Sequence, residues 1–353
     1  MHAGEGQQHP VEKSRDLQRR LYLAAKKSGN RRFHALYERI VRPEILWRAW
    51  AEVGGNGGSP GVDGVSIRDV ERRGVEILLG ELAADLKAQR YRPQPVLRVE
   101  IPKPDGRRRP LGIPTVKDRV VQQACKIVIE PLFEAHFLPC SYGYRPKRSA
   151  GQAVLADKEA VVRSWWVVDD DIEGFFTHVD HEILMSLVRR RISDRWVLKL
   201  IGQWLRAAVV IQGKRHETPC GVPQGGVVSP LPANIYLQTL DRWWSDRDTG
   251  VGQLHRYCDD FVVVCRSRWA AEQALAVVAG FLRELKLRLQ SKKTRVVEMG
   301  QGGFDFLGFH FQKMPSLRTG RLVPYAWPGQ EAMKTVREKI RQETDRTRLR
   351  VDL

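Results

Sequence analysis

Leu254-His255-Arg256-Tyr257-Cys258-Asp259-Asp260-Phe261-Val262-Val263-Val264-Cys265 is the stretch whose reading decides the fold. Apolar and β-branched residues flank an Asp pair, the pattern of two strands joined by a tight turn. Adjacent carboxylates repel each other, and a proton or a cation relieves them. A third carboxylate lies upstream, closing the apolar run Trp166-Val167-Val168-Asp169-Asp170-Asp171-Ile172. Carboxylates delivered by neighbouring strands can hold two Mg2+ ions about 3.5–4 Å apart, the geometry of phosphoryl and nucleotidyl transfer. A solvated Asp-Asp hairpin tip is the plainer alternative.

Composition narrows the field. A chain of 353 residues implies roughly two domains, and 42% hydrophobic content is enough for a real core. Lys and Arg number 59 against 41 Asp and Glu, a net charge of +18, and the pI is about 10.0. That excess favours a polyanionic partner. The chain has no run of about 18 apolar residues that could span a bilayer, and Met1-His2-Ala3-Gly4-Glu5-Gly6-Gln7 lacks the apolar core of a secretory signal. Nucleic acid is therefore the expected partner, and no membrane is. The five cysteines are odd in number and match no zinc-site spacing. They read as reduced thiols of a cytoplasmic protein, with Cys258 a small apolar filler.

The periodicity predicts helix over 12–52, where Leu17, Leu21, Leu23, Ala24, Phe33, Leu36, Tyr37, Ile40 and Val41 recur at helical spacing among many Lys and Arg. Six glycines between Gly54 and Gly64 argue against regular structure and allow close backbone approach. Helix is expected again over 67–90, 116–138, 148–163, 181–209 (with Asp180 as N-cap), 268–287 and 329–350. Residues 95–115 read as a hairpin around Pro104-Asp105-Gly106, carrying Lys103, Arg107, Arg108 and Arg109. A basic hairpin over a metal site could clamp a triphosphate. Alternation puts Asp169 and Asp171 on one strand face and Asp170 on the other.

The order of these parts is informative. After the basic hairpin and the strand ending in Asp171 comes Gly221-Val222-Pro223-Gln224-Gly225-Gly226-Val227-Val228-Ser229-Pro230, which leads into a helix over 234–240. The Asp259-Asp260 hairpin follows, then Lys292-Lys293-Thr294 and Phe306-Leu307-Gly308-Phe309. Six motifs in this order closely resemble the reverse transcriptases of group II introns, from about residue 15 to about residue 345. The resemblance implies an α+β fold: a right-hand polymerase with an antiparallel palm sheet, packed helices and fingers, a helical N-terminal extension and a partial helical thumb. It places the extension with its Gly-rich loop at 1–65, fingers at 66–165, palm at 166–312 and the start of a thumb at 313–353.

The resemblance also assigns roles. Asp171, Asp259 and Asp260 look like the catalytic, metal-holding triad, joined by the backbone carbonyl of Ile172. The implied cofactor is a pair of Mg2+ ions, with Mn2+ as a substitute. Lys103 and Arg109 resemble the residues that grip the triphosphate. Phe176 falls where relatives carry a ribose-selecting aromatic, which leaves Phe175 to core packing. Gln224 resembles the residue lying against template and incoming nucleotide, and Lys293 the lysine near the departing pyrophosphate. Phe306, Leu307 and Gly308 resemble the primer grip. The implied partners are an RNA template (intron RNA), a DNA primer and dNTPs.

Several positions depart from the family pattern. Cys258 stands where Ala is usual, Thr177 and His178 replace Asp and Asn, Glu173 replaces Lys, and Pro232 replaces Leu. Full members continue into a complete thumb and a basic maturase domain, and some add a nuclease; these are expected to be absent here. The sequence therefore predicts an RNA-directed DNA polymerase serving intron mobility. A non-catalytic, RNA-binding splicing cofactor and a defence-associated reverse transcriptase are the alternatives.

Overall fold

The computed structural model describes residues 10–102, 108–247 and 250–344. In chain order its helices are α1 (Pro10–Lys27), α2 (Tyr37–Ile40), α3 (Pro43–Asn56), α4 (Ile67–Arg73), α5 (Val75–Lys87), α6 (Val116–Glu134), α7 (Ala150–Ala160), α8 (Phe175–His178), α9 (His181–Arg189), α10 (Arg195–Leu205), α11 (Pro230–Asp246), α12 (Arg268–Glu284) and α13 (Gln330–Glu343). Its strands are β1 (Val96–Pro102), β2 (Arg108–Ile113), β3 (Trp166–Asp171), β4 (Val209–Ile211), β5 (Lys214–His216), β6 (Gln253–Tyr257), β7 (Asp260–Cys265), β8 (Arg295–Glu298), β9 (Phe304–Phe306), β10 (Phe309–Pro315) and β11 (Leu322–Pro328). They form two compact units, one from Met1–Phe137 with Gly174–Thr239, the other from Leu138–Glu173 with Leu240–Leu353.

The first unit is built around α6. Val120, Val121, Ala124, Cys125, Val128 and Leu132 are all fully buried, so this helix is apolar nearly all round, as a core helix must be. α1 and α3 pack on it through Leu17, Leu21, Ala25, Ile45, Leu46 and Ala49, and each such Leu or Ile contributes about 1.5–3 kcal/mol by leaving water. The Thr115 side chain caps α6 by accepting from the Asp118 amide. The unit's sheet has the order β2-β1-β4-β5. β1 and β2 are the expected hairpin, with Ile101 opposite Arg109, while β1 and β4 run parallel.

Several helical expectations need correction here. The stretch 12–52 is not one helical block, because residues 28–36 leave the helix and Phe33 bridges to Ile192. Leu23, read as apolar-face, is 53% exposed. The Gly-rich segment is not wholly irregular, since α3 runs through Gly54 and Gly55 to Asn56 and stops at Gly57, whose φ is +63°. Its close approach is internal: a Cβ on Gly61 would lie 2.7 Å from the Thr115 backbone. Gly74 divides 67–90 into α4 and α5. Asp180 does cap α9, but the predicted helix over 181–209 breaks at Asp194, which caps α10 and also accepts from the amides of Leu36 and Tyr37 at 2.8 Å each.

The second unit holds the sheet β6-β7-β3-β8, antiparallel throughout. β6 is extended at its edge by residues 140–142, with Tyr142 donating to the Arg256 carbonyl and Arg256 to the Cys140 carbonyl, both at 2.8 Å. α7 and α12 pack on this sheet, and Val167, Val262, Val264, Met299, Phe304, Phe306 and Phe311 form its core with Tyr142 and Ala153. A second sheet has the order β11-β10-β9. α13 has no buried residue, and Met333, Val336 and Ile340 on one of its faces are exposed.

Candidate active site

The Asp pair sits where the sequence put it. β6 and β7 are joined by the two residues Cys258 and Asp259, with Tyr257 opposite Asp260. Cys258 has φ +61°, so the first turn residue is left-handed, the form that matches the twist of a tight hairpin. Its side chain is buried, and that burial pushes the thiol well above its usual range, which agrees with the filler role.

β3 brings the third carboxylate. The antiparallel register sets Asp171 directly opposite Asp260, and like charges in that relation repel. Asp260 keeps an exposed surface, yet the protein packed around its carboxyl group, together with the charges of Asp259, Asp171 and Asp169, pushes its pKa up to about 7. Lys293 opposes that shift and forms an ion pair with Asp171. Asp169 lies on the same face and pairs with Arg295 at 2.9 Å. Asp170 points the other way and is buried; burial and the neighbouring Asp169 raise it to about 7. The face alternation read from the sequence is the one observed.

Among the described residues, no three carboxylate, imidazole or thiol side chains close around a common point as a ready cation cage. The donor set nonetheless fits hard divalent ions, since Asp171, Asp259 and Asp260 offer oxygen ligands only and the Lys293 ammonium now supplies the cationic neighbour of Asp171. The backbone of Asp171 and Glu173 pairs with Gln290 and Arg288 (Gln290 N to Asp171 O, 2.7 Å; Glu173 N to Arg288 O, 2.9 Å), which fixes Ile172 between them.

The remaining expected residues divide between the two units. Phe306 is buried, and Leu307 and Gly308 form a two-residue turn with φ of +51° and +80° between β9 and β10. In the first unit, Phe175 is buried against Tyr236 with ring centroids 6.3 Å apart. Phe176 is only half-buried and lines a cavity of about 240 Å3 together with Gln224, Pro110, Leu111 and Thr177. The Gln224 backbone carbonyl accepts from Gly112 at 2.6 Å. Its side-chain oxygen is buried without a hydrogen-bond partner among the described residues. Arg109 is exposed on β2, whereas Lys103, Arg107 and the Pro104-Asp105-Gly106 turn lie outside the described residues.

Three residues near the carboxylate turn escaped the sequence reading. Arg256 and Asp241 form an ion pair whose side chains are both fully buried. Gly143 lies so near the turn that a Cβ there would come within 2.8 Å of the Tyr257 carbonyl carbon. The local signal for Arg256 was a charged residue inside a short strand that turned out to be buried.

The chain is similar to several known proteins. The family described as reverse transcriptase (RNA-dependent DNA polymerase) matches residues 101–311. Protein YkfC of Escherichia coli (strain K12) is 35% identical over 332 residues, covering 83% of this chain and 87% of that protein. Group II intron-encoded protein LtrA of Lactococcus lactis subsp. cremoris is 36% identical over 212 residues, which cover 60% of this chain and 35% of LtrA. The putative COX1/OXI3 intron 2 protein of Saccharomyces cerevisiae is 32% identical over 170 residues, 48% of this chain and 20% of that protein. Among solved structures, a partial Cas6-RT-Cas1–Cas2 complex aligns over 71% of this chain and 42% of that one, at 28% identity and a TM-score of 0.43. No helix among the described residues is long and apolar enough to cross a membrane. The chain belongs to the reverse transcriptase (RNA-dependent DNA polymerase) family, and its relatives include a group II intron-encoded protein.

Proposed function

We propose that this chain is an RNA-directed DNA polymerase of group II intron type, copying intron RNA into cDNA from a DNA primer. The observation that carries the reading is the register of Asp171 opposite Asp260, with Asp259 in the turn beside them. Three acids concentrated at one sheet end are costly unless cations serve them. Bound Mg2+, or Mn2+ in its place, would supply Lewis-acid activation of the primer 3′-hydroxyl and neutralise charge on the leaving group.

The protein's own residues orient the reaction. Asp171, Asp259 and Asp260 hold the negative end of the site, with the Ile172 carbonyl beside them. Lys103 and Arg109 grip the triphosphate as point charge and fork. Phe176 excludes a 2′-hydroxyl from the nucleotide cavity, and the unpartnered oxygen of Gln224 accepts from nucleotide or template. Phe306, Leu307 and Gly308 steady the primer end. The primer oxygen bonds to the α-phosphorus, the bond to pyrophosphate breaks, and the hydroxyl proton passes to solvent. Lys293, released from Asp171, meets the charge that develops on the pyrophosphate.

The test uses purified protein, an RNA template annealed to a DNA primer, dNTPs and Mg2+. Wild type extends the primer, and Asp259→Ala abolishes extension while RNA affinity changes little. A wild-type protein that binds RNA tightly but never extends a primer would instead be a splicing cofactor.

A further inference from the structure

We infer that the buried Arg256–Asp241 ion pair positions the carboxylate turn, by holding the peptide that joins Cys258 to Asp259. This rests on the polymerase reading of the site. Both side chains have no solvent exposure. Arg256 Nε donates to Asp241 Oδ1 at 2.7 Å and Nη2 to Oδ2 at 2.5 Å, a bidentate fork. Nη2 also donates to the Ser141 hydroxyl at 2.9 Å. Nη1 reaches the backbone carbonyl of Cys258 at 2.7 Å.

The last bond is the informative one. A peptide unit is planar, so the Cys258 carbonyl and the Asp259 amide turn together. Fixing that carbonyl fixes the direction in which Asp259 and then Asp260 leave the turn. Cys258 also holds a left-handed backbone, which costs an ordinary residue roughly 1–2 kcal/mol, and a charge-assisted bond to its own carbonyl offsets that cost. The main chain of Arg256 is itself anchored: its carbonyl accepts from the Tyr142 amide and its amide donates to the Cys140 carbonyl, both at 2.8 Å. The guanidinium therefore transmits the position of α11, through Asp241, and of residues 140–142 to the turn.

Stability alone does not account for this pair. A buried ion pair replaced by apolar residues of similar volume is often neutral or stabilising. What an apolar pair cannot supply is a directed donor to the Cys258 carbonyl. The same logic identifies the appropriate variant, Arg256→Met combined with Asp241→Leu, which removes both charges and keeps the space filled.

Three measurements on the wild type and this double variant decide the matter: thermal unfolding, single-nucleotide incorporation, and Mn2+ affinity of the free protein by electron paramagnetic resonance. The double variant is expected to unfold at a similar temperature and to keep its KM for dNTP. Its kcat falls on the order of a hundredfold, as for a misplacement near 1 Å, and Mn2+ binds about tenfold more weakly, as when a group that orients metal ligands is lost. A folded double variant with kcat and Mn2+ affinity within about threefold of wild type overturns the inference. Should the double variant fail to fold, Arg256→Lys carries the same readouts, because one ammonium keeps the charge pair but cannot span both Asp241 and the Cys258 carbonyl. If the wild type extends no primer, the polymerase reading falls, and the Mn2+ comparison still decides the positioning role: equal affinities overturn it and a tenfold loss supports it.

Discussion

Gly143→Ala is the smallest perturbation that tests how tightly the carboxylate turn is held. The new methyl carbon would sit 2.8 Å from the Tyr257 carbonyl carbon and closer still to the Cys258 amide nitrogen, whereas ordinary van der Waals contact begins at 3.4 Å. Both neighbours are backbone, so no side chain can swing aside. The nearer contact, to the Cys258 nitrogen, means that the turn or residues 140–143 must retreat by about 1 Å, at a typical overpacking cost of about 1–3 kcal/mol. A displacement approaching 1 Å in a reacting group can lower the rate on the order of a hundredfold, so a loss of about tenfold to a hundredfold in kcat is expected. The assay is single-nucleotide incorporation at saturating dNTP, with circular dichroism to confirm folding. Gly80→Ala is the matched control: nothing lies within 4 Å of its added carbon, and in α5 it should stabilise the fold by about 0.5–1 kcal/mol with kcat unchanged. Full activity in folded Gly143→Ala would refute a rigidly held turn.

Two further outcomes concern the fold. Asp194→Ala removes the acceptor of four backbone amides, those of Leu36, Tyr37, Trp196 and Val197, and should cost about 3–5 kcal/mol in chemical denaturation; a loss below about 1 kcal/mol contradicts the shared-cap reading. Lys313 is buried with its ammonium 4.0 Å from the centre of the Trp165 ring and 3.3 Å from the Val162 carbonyl, and burial lowers its pKa from 10.5. The charged form is therefore penalised in the fold at neutral pH, and the penalty fades as pH rises through the lowered pKa. Lys313→Met should raise the melting temperature at pH 7, with the gap to wild type narrowing towards pH 10; a constant gap contradicts this sign.

Legibility followed the range of the interactions. The β6–β7 hairpin was readable because its evidence is local: apolar and β-branched flanks on either side of an acidic pair. The Asp180 cap was readable for the same reason. β4 and β5 were missed because they are three residues each and mostly polar or half-exposed, below the length at which alternation registers. β11 carries Pro324 and Pro328, which argue against a strand; the sheet tolerates them because β11 is an edge, paired on one side with β10. Arg256 was invisible in its role because its partners Ser141 and Asp241 are 115 and 15 residues away. Periodicity cannot report a buried pair of that kind. The triad's residues came from motif order, and the register of β3 on β7 then placed two of them opposite each other.

That register also separates two carboxylates that share one face of β3, Asp169 and Asp171. Both have a cation at hand. Asp169 is directly opposite Arg295 in the β3–β8 ladder, bonded through Nε at 2.9 Å. An arginine held in register is a permanent counter-charge, because its planar fork is always protonated and loses little freedom on binding. Asp171 lies beyond the paired part of β8 and opposite another acid, Asp260. Its cation is Lys293, on the turn before β8, a flexible point charge with half its side chain in solvent. Displacing an exposed lysine costs little, since exposed ion pairs contribute only about 0–1 kcal/mol. Asp169 is thus committed to the sheet, while under the proposed function Asp171 would exchange its lysine for a metal ion and leave that lysine beside the phosphate chemistry. The motif order had already favoured Asp171 over Asp169, and the residues standing across the strand give a physical reason for that preference.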